Sequence, residues 1–69
     1  MKEDKQNICN LFLKTLQATR NACDLVSLEY SDTTETVTAV FEKGGIRKIN
    51  VAMDSGTAMI HDIIKHLGI

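Results

Sequence analysis

Between Asp24 and Met53 the sequence holds three runs dominated by period-two alternation, and on both sides of that stretch the apolar residues fall at helical spacing. This change of period restricts the chain more than any other feature, because an alternating run cannot form the stripe of an amphipathic helix, nor a helical stripe one face of a strand. Ahead of the stretch, Ile8, Leu11, Phe12 and Leu16 stand at i, i+3, i+4 and i+8, with Asn10, Lys14 and Gln17 opposite. That spacing predicts an amphipathic helix from about Asp4 to Asn21. Asp4 is the expected cap, and Glu3 and Asp4 suit the positive end of the helix dipole. Cys9 and Leu13 widen the stripe on one flank, which places Leu13 at its border and within reach of a partner. Behind the stretch, Ile60, Ile63, Ile64 and Leu67 predict a second helix, opened at Asp54 or Ser55 and stopped by Gly68.

The alternating stretch divides into three runs. Val26, Leu28 and Tyr30 alternate with Leu25, Ser27, Glu29 and Ser31, and Val37, Ala39 and Phe41 with Thr36, Thr38, Val40 and Glu42. In the third run Ile49, Val51 and Met53 alternate with Lys48, Asn50 and Ala52. Each reads as a half-buried strand. The order is therefore α-β-β-β-α, and the expected fold is α+β: a three-stranded antiparallel meander with both helices packed on one face, a single domain over residues 1–69. A chain this short is near the lower limit for a single apolar core, and 43% hydrophobic with 25% charged residues is globular composition.

Parity fixes the faces. A two-residue turn at Gly44-Gly45 would set Phe41 opposite Lys48 and bring a lysine into the core, so that turn is excluded. A three-residue loop, Lys43-Gly44-Gly45, pairs Ala39 with Ile49 and Val37 with Val51, with Gly45 in the left-handed conformation of a bulged turn. A four-residue loop from Asp32 to Glu35 pairs Tyr30 with Val37 and Leu28 with Ala39. The face away from the helices then carries the rows Glu29-Thr38-Asn50, Ser27-Val40-Lys48 and Leu25-Glu42-Ile46.

Eight basic against nine acidic residues give a net charge of -1, with no overall field favouring polyanions or anionic membranes. No stretch has the roughly 18 apolar residues of a membrane span, and the charged start MKEDKQN lacks the apolar run of a signal peptide. A cytoplasmic setting is expected, with Cys9 and Cys23 kept as thiols used in packing. The histidines, His61 and His66, are five apart on a helix and point about 140 degrees apart, while the cysteines lie on different elements. No zinc site or other metal is expected. No motif brings a cysteine to a base and an orienting carboxylate, so the chain reads as non-enzymatic and without cofactors.

The α-β-β-β-α order at this length resembles the double-stranded RNA-binding domain in topology. That family presents lysines at the start of its last helix, where this chain has Asp54-Ser55-Gly56-Thr57, and a Gly-Pro-x-His-like segment in its first strand loop, where this chain has Asp32-Thr33-Thr34-Glu35. No RNA-binding residue carries over. The expected function is a small protein-interaction module whose partner is another protein or a second copy of itself, with Leu13, Leu25, Ser27, Val40 and Ile46 as contact residues. Strand one, less guarded by charge than the strand carrying Arg47 and Lys48, is the expected contact edge. The alternative is weak nucleic-acid binding near Lys43, Arg47 and Lys48.

Overall fold

A computed structural model describes residues 4–68 of the chain. Its elements are α1 (Lys5–Gln17), β1 (Leu25–Ser31), β2 (Thr36–Phe41), β3 (Ile46–Asn50) and α2 (Gly56–Leu67), in the expected α-β-β-β-α order. The strands form one antiparallel sheet in the order β1-β2-β3. Both helices lie on one of its faces, α1 along β1 and α2 along β3. Glu3, the expected dipole partner of α1, lies outside the described residues.

Each helix starts on a side chain that satisfies an otherwise orphaned amide. The Asn7 amide donates to the Asp4 carboxylate at 3.0 Å, and the Ala58 amide to the Ser55 hydroxyl at 3.2 Å. Gly68 closes α2 at φ 71°, the left-handed cap predicted for it. α1 stops sooner than its periodicity suggests, at Gln17 and not Asn21. Thr19 is the cause: its amide and its hydroxyl both donate to the Leu16 carbonyl, at 2.9 and 2.6 Å, and take an acceptor that the helix would need to continue.

The buried stripe of α1 is rotated from the expected one. Cys9 is fully buried and Leu16 nearly so, with Ile8, Phe12 and Leu13 packed against them, whereas Leu11 is 61% exposed. Leu13 is half buried and packs against the core from the border of the stripe. In α2 the deepest residues are Met59 and Ile63, while Ile60, Ile64 and Leu67 are only half buried. The core they complete holds Ala22, Leu25, Leu28, Val37, Ala39, Ile49 and Val51.

Two irregularities reset the sheet. Tyr30 pairs with Val37, Leu28 with Ala39 and Ser27 with Val40 as expected, but the register then slips and Leu25 pairs with Phe41. The extra residue is Val26, a bulge that turns Leu25 inward to 2% exposure and leaves Val26 49% exposed. Leu25 is thus a core residue and does not belong to the open face.

The second irregularity lies in the β2–β3 hairpin. Its loop has three residues, as expected, but they are Glu42-Lys43-Gly44: the Phe41 amide donates to the Gly45 carbonyl and the Gly44 amide to the Phe41 carbonyl, both at 2.9 Å. Gly44, at φ 84°, is the left-handed residue. Moving the loop back one residue shifts every pair by two, so Val37 meets Ile49, Thr38 meets Lys48 and Val40 meets Ile46. A shift of two preserves parity, so the inner and outer faces stand as predicted while their neighbours change.

The two glycines are therefore unequal. Gly44→Ala places a side chain at a positive φ and should cost about 1 kcal/mol in urea denaturation. Gly45→Ala should be almost neutral, because its Cβ would meet only Phe41 atoms at 3.9 Å.

β3 ends at Asn50, and Val51, still buried, extends the ladder by donating its amide to the Glu35 carbonyl at 2.9 Å. Met53, expected on the inner face, is 99% exposed at φ 69° in the turn that leads to α2. There the Asp54 amide donates to the Val51 carbonyl at 3.0 Å, which folds the chain away from the sheet before the alternation can continue.

Candidate functional site: the open face of the sheet

With both helices on one side, the other side of the sheet is left without a covering element among the described residues. Its rows are Ser31-Thr36-Asn50, Glu29-Thr38-Lys48 and Ser27-Val40-Ile46. The bulge sets Val26 beside the last row. Ile46 is 61% exposed, and Val40 and Ser27 are half buried only by their sheet neighbours. Val26, Val40 and Ile46 thus make an apolar end to a surface otherwise built of hydroxyls, one amide, one glutamate and one lysine. Of the contact residues read from the sequence, the structure brings together Ser27, Val40 and Ile46. It moves Leu25 into the core and supplies Val26 in its place, and it leaves Leu13 half buried on α1, on the other side of the sheet. The alternation pattern sets Val26 on the inner face with Leu28 and Tyr30; the bulge overturns that placement and leaves it 49% exposed.

The edges of the sheet are less available than its face. α1 covers the backbone of β1 with its own side chains: the Tyr30 amide donates to the Gln6 side-chain oxygen at 2.9 Å, and Gln17 Nε2 donates to the Leu25 carbonyl at 2.8 Å. A strand adding to β1 would have to displace both bonds, which removes β1 as the first choice of contact edge. On β3 the ladder to β2 uses Arg47 and Ile49, so Ile46 and Lys48 turn their backbone groups outward. Two copies of β3 paired about Lys48 would set lysine against lysine, a like-charge pair across strands.

Elsewhere the surface offers less chemistry. Ile8, Leu11, Phe12, Thr15 and Ile60 line an open groove of about 250 Å³ between the helices. Cys9 is buried, and burial pushes its thiol up to about 11, so it is inert at neutral pH; Cys23 is free and exposed. His61 is exposed, and His66 Nδ1 lies 2.9 Å from the Asp62 carbonyl, a contact that an N–H on that nitrogen makes. Among the described residues no cluster of three or more His, Cys, Asp or Glu side chains is arranged to hold a metal ion. No helix among them is long and apolar enough to cross a membrane.

The charges follow the helices. Both helices start at the end of the sheet where β1 turns into β2, the end that also carries Asp4, Asp32, Glu35 and Asp54, and both run toward the β2–β3 hairpin, where Lys14, Arg20, Lys43 and Lys65 stand on the helix ends and loops together with Asp24 and Glu42. Acidic groups at helix starts and basic groups at helix ends complement the two dipoles. At the acidic end Lys5 Nζ donates to the Val51 carbonyl at 3.2 Å and sits 5.6 Å from the centre of the Tyr30 ring, tying α1 across the sheet.

One group at this end is out of balance. Asp54 has a carboxylate oxygen shielded from water and without a hydrogen-bond partner. Its carboxyl is held above the usual range, first by a side-chain hydrogen bond with Asp62, then by desolvation and the negative charge of Asp62, with Lys5 opposing. An acid whose folded pKa exceeds its unfolded value of 3.8 adds stability that is complete below that value and is lost as pH rises through the folded one. Asp54→Asn keeps a hydrogen-bonding group but no charge. It should raise the urea midpoint at pH 7 relative to the parent chain and flatten the decline in stability between pH 4 and pH 7, as read from denaturation curves across that range.

Comparison with protein-family models, with curated proteins and with solved structures found no match to this chain.

Proposed function

We propose that the chain acts by binding another protein chain through the open face of its sheet and does not itself catalyse a reaction. The observation that carries this reading is the apolar end of that face. Ile46 and Val26, 61% and 49% exposed, flank Val40 on a sheet face over which no described element packs. An open sheet face with an apolar end and hydroxyl and charged groups beside it suits contact with another protein surface, whereas a small molecule is normally held in a concave site. A reducing, cytoplasmic setting accords with the two free thiols.

The test is capture by the immobilised chain of proteins from its own cell extract. Ile46→Asp should abolish capture while the melting temperature holds, and Leu11→Asp, at the groove between the helices, should leave it intact. The opposite pattern would assign binding to the groove and overturn the reading. Nucleic-acid binding is the second reading, through Lys43, Arg47 and Lys48, which are exposed on the β2–β3 hairpin. A salt-dependent mobility shift with short duplexes would support it, and its absence at low ionic strength would end it.

A further inference from the structure

We infer that the open face takes a second copy of the same chain, packed face to face about a two-fold axis parallel to β2. The inference rests on the proposal that this face binds protein and goes further by naming the occupant and the geometry. It starts from the middle row, Glu29-Thr38-Lys48. That row carries opposite charges on its two flanks and a neutral residue on the central strand. A two-fold axis along the central strand exchanges β1 with β3 and keeps each row level. Glu29 then faces Lys48 of the second copy, Lys48 faces its Glu29, and Thr38 faces Thr38.

The same operation sets Val40 against Val40 and Ile46 against Ser27 in the apolar row, with Val26 beside it, and Thr36 against Thr36 in the polar one. Apolar end meets apolar end, and both charged pairs are of unlike sign. Within one chain Glu29 and Lys48 stand two strand spacings apart, about 10 Å, so in the dimer each finds its opposite charge across the interface. An axis across the strands and centred on this row does the reverse: it sets Glu29 on Glu29, Lys48 on Lys48 and the Ser27-Val40-Ile46 row on the Ser31-Thr36-Asn50 row. Packed sheets keep their strands within about 30 degrees of one another, so the twist leaves the middle row in register.

The contact is small. Three short strands present a footprint of roughly 300 Å² per copy, and the surface buried falls below the 1,200 Å² or so of stable complexes. The chosen axis also sets the acidic ends of the two copies side by side, separated by solvent. The dimer is therefore weak, with a dissociation constant on the order of 100 μM.

Sedimentation velocity and NMR dilution from about 1 mM to about 20 μM test it. Concentration-dependent shifts should centre on Thr38, Val40, Ile46 and Lys48. Glu29→Lys and Lys48→Glu should each weaken the dimer about tenfold or more, because each turns both charged pairs into like pairs. The double variant, E29K with K48E, should restore the parent affinity. Both positions are exposed, and an unchanged melting temperature verifies that the variants fold.

A monomer at about 1 mM, a dimer indifferent to the single changes, or a double variant that stays weak would each overturn the inference. The broader reading has its own readout, Ile46-dependent capture of other proteins. Capture without self-association leaves the face as a binding surface and removes the two-fold; loss of both removes both.

Discussion

Leu28→Ala should destabilise the chain by about 3 kcal/mol. Leu28 is among the largest fully enclosed side chains, at the middle of β1, where it pairs with Ala39 and lies under α1. Truncation removes its buried methyl and methylene groups and leaves a cavity that the pairing of β1 and β2 prevents from closing. Collapse would require the strand to move, and the Gln6 and Gln17 bonds to its backbone hold it against α1. A domain of 69 residues has about 5 kcal/mol of stability to lose. Urea denaturation of the variant should therefore begin at the lowest denaturant concentrations. Leu11→Ala, on the same core-facing helix but 61% exposed, should cost less than about 0.5 kcal/mol. Equal losses at the two positions would mean that the rotation of the α1 stripe is wrong.

The second large effect is in thiol chemistry. At pH 8 Cys9 should react with a soluble thiol reagent about a thousandfold more slowly than Cys23, because no reagent reaches it until the chain opens. Cys9 is 0% exposed, and burial has raised its thiol to about 11, whereas Cys23 is exposed on the turn between α1 and β1. The two experiments are coupled. If labelling of Cys9 reports global opening, the loss of about 3 kcal/mol in Leu28→Ala should speed it roughly a hundredfold and leave Cys23 unchanged. Similar rates at the two cysteines in the parent chain would show that α1 leaves the sheet without global unfolding. The raised thiol has a further consequence for pH: its contribution to stability is complete below 9.0 and is lost as pH rises through about 11.

The sequence also makes clear why particular expectations failed. Strict alternation from Leu28 and Tyr30 points Leu25 outward and leaves it no other face. Only the bulge at Val26 turns it in, and neither residue signals a bulge by type. Gly44 and Gly45 are chemically identical, so choosing which one takes the positive φ requires the backbone. With that choice went the pairing of Lys48, which faces Thr38 and not Val40. The row on which the dimer depends was therefore unreadable from the sequence, although Glu29 and Lys48 were both correctly assigned to the open face. The spacing of Met53 fits the end of a strand, but the turn at Val51 takes the backbone off the sheet before that position.

Local patterning determined what short-range physics can determine: the five elements and their order, the Asp4 cap, a second cap at Asp54 or Ser55, the stop at Gly68, and, away from the bulge, which strand residues share parity. Each depends on side-chain spacing or on one residue's backbone preference. The tertiary structure decided which neighbours meet. The bulge, the one-residue displacement of the hairpin loop and the rotation of α1 about its axis are settled by packing of the whole core, in which Cys9, Leu25 and Met59 are buried while Leu11 and Met53 are exposed.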